Sequence, residues 1–97
     1  MAYRIKPRAQ ADIQAISDYV SDRNPPAATR LIGKFIQQWE LLATQPHSGA
    51  ERSDILPGIR HKITGQYIAF YRVDGRDVII LRVLHGKRKI SSDDLGD

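Results

Sequence analysis

Residues 59–84, IRHKITGQYIAFYRVDGRDVIILRVL, decide the fold. β-Branched and aromatic residues dominate the stretch, and it is broken twice, at Gly65-Gln66 and at Asp74-Gly75-Arg76-Asp77. Such breaks predict three strands, Ile59–Thr64, Tyr67–Val73 and Val78–Leu84, joined by tight hairpins into an antiparallel meander. Upstream, residues 46–58, PHSGAERSDILPG, hold two prolines and two glycines with no sustained period. They read as a loop, either ordered on the surface or flexible. Before it the period changes to that of helices. Ala28, Leu31, Ile32, Phe35, Ile36, Trp39, Leu42 and Ala43 form a wide apolar stripe on a helix from Pro25 to about Thr44, opened by Asn24 as cap and by the two prolines. Ala9, Ile13, Ile16 and Val20 make a narrower stripe on a helix starting at Pro7, with Gln10, Asp12, Gln14, Ser17 and Asp18 facing the other way. Tyr3–Lys6 alternates like a half-buried strand. The expected fold class is α+β: an N-terminal strand, a helical hairpin, then a three-stranded antiparallel meander, with the helices on one face of the sheet. Residues 1–97 form one domain, with residues 90–97, ending in the polar SSDDLGD, expected to be a mobile tail.

Composition narrows the function classes. With 41% hydrophobic and 27% charged residues the chain folds rather than staying disordered. There is no cysteine, hence no disulfide, thiolate nucleophile or Cys-based zinc site, which suits a reducing cytoplasm. The longest apolar run, VIIL, stops at Arg82, so no signal-peptide core and no membrane span is expected. His47, His61 and His85 have no companions at metal-ligand spacing, and no Walker loop, GxGxxG or GxSxG is present. Charge is unevenly placed: residues 1–59 carry seven basic and six acidic side chains, residues 60–89 eight basic and only Asp74 and Asp77. An acidic or polyanionic partner is expected for the C-terminal half, and so small a domain gains stability by binding one.

Pairing Thr64 with Tyr67 and Val73 with Val78 sets a register. Ile63, Ile68 and Val83, then His61, Phe70 and Leu81, then Ile59, Arg72 and Ile79 share a face that should meet the helices. The opposite, exposed face then carries Thr64, Tyr67 and Leu84, then Lys62, Ala69 and Arg82, then Arg60, Tyr71 and Ile80. Cations among tyrosines suit a nucleic-acid platform, with phosphates on the cations and bases on the rings. They equally suit a solvated or protein-docking surface, which is the more frequent use of such a face. His85, at the end of the last strand, could transfer a proton or simply cap the strand. No carboxylate accompanies the cations, so an obvious general base is missing.

Three segments carry a family resemblance: Gly58-Ile59-Arg60, Tyr67-x-x-Phe70-Tyr71-Arg72, and Leu81-Arg82-Val83-Leu84-His85-Gly86 followed by Lys87-Arg88. Ala9-Gln10-Ala11-Asp12-Ile13, Pro46 and Gly49 agree more loosely. The chain resembles ParE-type toxins, the gyrase-directed branch of the ParE/RelE superfamily of bacterial toxin–antitoxin modules. The resemblance implies the fold read above, no cofactor and no metal, and a bacterial cytoplasmic protein that is not an enzyme. It implies growth arrest by binding DNA gyrase, and neutralisation by a ParD-like antitoxin whose acidic, amphipathic C-terminal segment wraps the toxin in a hetero-oligomer. Neither a membrane nor specific nucleic-acid binding by the toxin alone belongs to this reading. Arg60, Lys62, Tyr67, Tyr71, Arg82, His85, Lys87 and Arg88 are then the candidate partner-binding residues. The alternative is a RelE-like, ribosome-dependent mRNA endoribonuclease, in which Arg60, Lys62 and Arg82 neutralise phosphate and His85 moves the proton. A stand-alone nucleic-acid-binding module is a third reading. One departure from the family pattern is Lys89, where members commonly place an acid; here the acids come later, at Asp93 and Asp94.

Overall fold

Both tight turns depend on a glycine in the left-handed region, Gly65 at φ 60° and Gly75 at φ 64°, where a Cβ would be strained. They join β3 (Arg60–Thr64), β4 (Tyr67–Asp74) and β5 (Asp77–His85) into the expected meander. The computed structural model describes residues 2–96. Its chain begins with β1 (Tyr3–Ile5), α1 (Pro7–Arg23) and α2 (Pro25–Thr44), the last capped by the Asn24 side chain, which accepts from Ala27 N–H. The sheet order is β1-β5-β4-β3-β2, with β1 parallel to β5 and the other pairs antiparallel. The fold is thus α+β, two helices on one sheet. Within the segment read as a loop lie a 3-10 turn, Pro46–Ser48, and the two-residue β2, Ala50–Glu51, which pairs with Arg60 and His61. Two residues carry too little alternation to register as a strand in sequence.

Thr64 pairs with Tyr67 and Val73 with Val78, as the turns dictate. The assignment of faces is reversed for β3, β4 and β5 up to Leu81, whereas Val83 meets the helices and Leu84 points away from them as expected, because a bulge in β5 shifts the residues after it. Tyr67, Ala69, Tyr71 and Val73 of β4, with Val78, Ile80 and Val83 of β5, pack against Ala9, Phe35, Trp39 and Leu42 of the helices. Ile68, Phe70, Ile79, Leu81 and Leu84 lie on the far side, covered by Ile55, Leu56, Ile90 and Leu95. Both faces of the central strands are therefore buried, and alternation alone could not tell which one the helices take. A second correction concerns β5. A bulge opposite the Phe70/Tyr71 junction leaves Leu81 unpaired, so Phe70 faces Arg82 and Ile68 faces Leu84. Such an extra residue re-aims the side chains that follow it.

At the bulge, Arg82 turns towards α1 instead of joining an exposed face. Its Nε and Nη2 donate to the two carboxylate oxygens of Asp12 at 2.6 and 2.8 Å, and the same carboxylate accepts from Val83 N–H. The guanidinium stays charged because Asp12 donates nothing and accepts twice, which outweighs the cost of burial and raises its pKa further. Asp12, expected on the solvent side of α1, is thus the internal partner of the last strand. Arg82 Nη1 also donates to the Asp94 carbonyl, and so reaches the C-terminus.

Residues 90–97, expected to be mobile, instead pack over the sheet as far as they are described; Asp97 lies outside the described residues. Ser92–Leu95 form a 3-10 turn with a Ser91/Asp94 capping box, and Leu95 is buried against the far-side cluster. Arg88 pairs with Asp94 at 2.6 Å, and Arg8 Nη1 donates to the carbonyls of Asp93 and Gly96. The hydrogen bond from Ser91 N–H and the nearby Arg88 hold the Asp94 carboxyl below the usual carboxylate range.

These contacts set the stability outcomes of several substitutions. Gly49 sits in contact with Tyr71, whose buried hydroxyl donates to the Pro46 carbonyl at 2.7 Å and accepts from Gly49 N–H at 2.9 Å. A Cβ on Gly49 would overlap that hydroxyl and lie 2.7 Å from the His61 carbonyl. Gly49→Ala is expected to cost about 1–3 kcal/mol in urea unfolding, as overpacking does. Gly33→Ala, in mid-helix with nothing within 4 Å, should instead gain about 0.5–1 kcal/mol. Removing Arg82 leaves a nearly enclosed carboxylate unpaired, so Arg82→Ala should lose about 3–5 kcal/mol by the same measurement. The Asp12→Leu/Arg82→Met double variant should recover most of that loss.

Candidate partner-binding surface

The residues singled out by sequence separate into two groups. Tyr71 is fully buried, its hydroxyl spent on the Pro46–Gly49 turn. Arg82 is held by Asp12 and Arg88 by Asp94. Arg60 Nη1 donates to the carbonyls of His47 and Gly49, and its Nη2 pairs with Glu51 at 3.1 Å. These three guanidiniums staple elements of the fold to one another. The expected exposed row of Arg60, Arg82 and Tyr71 is not there, because its face is the one the helices cover.

The second group lies at the opposite end of the meander. Tyr67 is half-buried between Phe35 and His85, in edge-to-face contact with each. His85 accepts a hydrogen bond from Lys87 N–H at Nδ1, which leaves the proton on Nε2, 3.3 Å from Gln66 Oε1. Its role is that of a strap between the β3–β4 turn and the end of β5. Lys62 reaches the Ser48 carbonyl only at 3.5 Å, and the Lys87 ammonium is exposed. His61, by contrast, is tucked beside Phe70, and burial with Arg52 nearby pushes its pKa down, so it is a neutral filler.

Around Lys62 and His85 the surface is apolar and cationic at once. Leu41 and Ile63 are 62% and 59% exposed, the most exposed large aliphatic side chains of the described residues. A groove of about 450 Å³ runs between α2 and the edge of β3, lined by Lys34, Gln37, Gln38, Leu41, Lys62 and Ile63 among others. A second hollow of about 360 Å³ adjoins it through Ile63 and continues over Ile68, His85 and Lys87. No carboxylate lines either one. The sequence reading missed Leu41 and placed Ile63 under the helices. The available signal was that Leu41 falls off the apolar stripe of α2, where an exposed leucine needs a reason. Among the described residues no group of three or more His, Asp or Glu side chains is placed to hold a metal ion, and no helix is long and apolar enough to cross a membrane.

Comparison with known proteins agrees with this architecture. Residues 3–90 match the family profile described as the ParE toxin of the type II toxin–antitoxin system parDE. Toxin ParE3 of Caulobacter vibrioides is 28% identical over 75 residues, 77% of this chain and 75% of that protein. A solved structure titled as the chromosomal ParDE toxin–antitoxin system of P. aeruginosa superposes with a TM-score of 0.75 at 27% identity, covering 88% of this chain and 95% of that one. The RelBE2 toxin–antitoxin complex of Mycobacterium tuberculosis shares the fold, with a TM-score of 0.56 at 22% identity over 87% of this chain and 95% of that one. With a profile match across nearly its whole length, a shared fold and the RVLHG strand end in place, the chain belongs to the ParE toxin family of type II toxin–antitoxin systems.

Proposed function

We propose that this chain is a cytoplasmic growth-arresting toxin that binds DNA gyrase without enzymatic chemistry of its own, and that a ParD-like antitoxin neutralises it by seating an acidic, amphipathic segment on the Leu41–Ile63 surface. The observation that carries the antitoxin half is the pairing of two exposed aliphatic anchors with Lys34, Lys62 and Lys87 in hollows without carboxylates. An apolar stripe bordered by acids complements such a surface, the apolar residues supplying the anchor and the rim charges the encounter rate. Gyrase as target is supported by membership of the ParE family. The geometry adds that an endoribonuclease would need Arg60, Arg82 and His85 as charge stabilisers and base, and here each is engaged in bonds that hold the fold together. The binding roles therefore fall to Lys62, Tyr67, His85 and Lys87 of the sequence candidates, joined by Lys34, Leu41 and Ile63. Arg60, Tyr71, Arg82 and Arg88 position them.

The purified chain is expected to inhibit supercoiling by gyrase and to leave ribosome-bound mRNA intact, with activity restored by the antitoxin encoded beside its gene. Site-specific cleavage of the message at normal supercoiling would overturn the reading. Leu41→Asp and Ile63→Asp each alter an exposed side chain and should leave the melting temperature within about 2–4 °C of the parent, since surface changes are worth only about 0.5 kcal/mol. Each should nevertheless weaken antitoxin binding by about 2 kcal/mol or more in calorimetric titration.

A further inference from the structure

Arg4 of β1 and Arg72 of β4 are the register partners of Ile79 from either side. Two guanidinium side chains therefore flank one buried isoleucine on the sheet face away from the helices, two strand spacings or about 9–10 Å apart at the backbone. Arg72, expected beneath the helices, is half-buried there, and its side chain has no hydrogen-bond or ion-pair partner among the described residues. It differs in this from Arg52, Arg60, Arg82 and Arg88, each of which has a carboxylate within 3.1 Å. Arg4 approaches Asp74 and Asp77 only at 3.9 and 3.8 Å, with most of its side chain in water, where such pairs are worth little. A hollow of about 340 Å³ lies along these arginines, and a second of about 270 Å³ continues it past Lys6 and Pro7 to Arg8 and Leu81. Arg8 Nη1 donates to main-chain carbonyls, which carry no charge to set against its own. Among the described residues, Asp74 is the one carboxylate lining either hollow. A cationic track thus follows β1, towards the opposite edge of the sheet from Ile63.

The track lacks what a protein partner uses. Ile79 and Leu81 are buried, and the exposed large hydrophobic side chains of the described residues, Tyr19, Ile36, Leu41 and Ile63, all lie elsewhere. Protein interfaces draw most of their energy from apolar and aromatic anchors, whereas a phosphodiester backbone is held by arginine and lysine alone, the guanidinium fork matching two phosphate oxygens. We propose that this track binds the phosphodiester backbone of duplex DNA without regard to sequence, and that in the gyrase complex it grips the DNA on which gyrase acts. The second half of the proposal rests on the gyrase reading, and the first can be measured without gyrase. Arg72 is the central contact, because it has no internal partner to give up. Arg4 exchanges two long surface pairs for a phosphate, and Lys6 and Arg8 extend the potential along the strand. Contacts of this kind position a duplex and carry no sequence information. Weak alone, they add to affinity once toxin and DNA sit on the same enzyme.

The test is fluorescence anisotropy of the whole chain with a labelled duplex of about 20 base pairs, from about 50 to 200 mM salt. Affinity should fall with salt. Each phosphate contact contributes about 0.9 to the slope of log affinity against log salt, so Arg72→Gln should reduce that slope by about 1 and Arg4→Gln/Arg72→Gln by about 2. At the lowest salt the double variant should bind about tenfold more weakly, whereas Arg30→Gln, which removes one charge from the exposed side of α2, should stay within about twofold of the parent. Equal losses for Arg72→Gln and Arg30→Gln would mean that binding follows net charge, and would overturn the site, as would a parent chain that shows no salt-dependent binding. Chemical-shift mapping with the same duplex needs no variant: residues 4–8, 72 and 79–81 should move, and a footprint on Lys34, Lys62 and Lys87 instead would overturn the site. In supercoiling assays the double variant should inhibit gyrase less at equal concentration, and undiminished inhibition would overturn the role in the complex. A parent chain that binds DNA along the track yet leaves supercoiling untouched would be the failure of the gyrase reading, with the DNA site standing.

Discussion

The Arg82–Asp12 pair joins three parts of the chain through one buried, bidentate contact. Its guanidinium comes from the bulge in β5, its carboxylate from α1, and its remaining donor reaches the C-terminal turn at Asp94. The carboxylate in turn takes Val83 N–H next to the bulge, so the irregularity in the strand and the placement of the helix determine each other. Burying two charges costs several kcal/mol each, and excellent geometry with every acceptor used is what offsets it. The bidentate contact meets that condition. Its contribution is specificity: only one seating of α1 on the sheet brings Asp12 to the bulge.

Much of the rest was legible. Hairpin turns with glycine, the proline and asparagine punctuation around the helices, and period switching between 2 and 3.6 located β1, both α-helices and the three strands of the meander. What escaped were features that arise from the third dimension. Asp12 looked like a solvent-side residue because its partner is 70 positions away. The bulge at Leu81 has no sequence marker, since no glycine or proline stands there, and it moved every following side chain by one place. The reversal of faces has the same origin, because a sheet covered by helices on one side and by the 52–56 loop and the C-terminus on the other is apolar on both. Of the proposed surface, Lys62, Tyr67, His85 and Lys87 were singled out in sequence, whereas Leu41 and Ile63 were not. An exposed leucine is informative only once its neighbours on α2 are known to be buried.

Charge in the C-terminal half, read from composition as one basic surface, is divided by function. Four arginines bond within the fold, where forked donors can satisfy several acceptors: Arg60 holds the turn before β2, Arg82 holds α1, and Arg88 with Arg8 holds the C-terminus. Lysines remain at the surface around the aliphatic anchors, where a mobile point charge suffices for steering an acidic partner. Binding through Lys34, Lys62 and Lys87, as proposed, would leave the bonds that shape the fold intact.

That division can be read in one experiment: chemical-shift mapping of the nitrogen-15-labelled chain during titration with the acidic C-terminal segment of the adjacent antitoxin. The account expects the largest perturbations at residues 34–45, 62–68 and 85–87, with Asp12, Arg60 and Arg82 and their neighbours unmoved. A footprint centred on Arg60, Tyr71, Arg82 and the C-terminal turn would show that the guanidiniums bind the partner after all, and would contradict it.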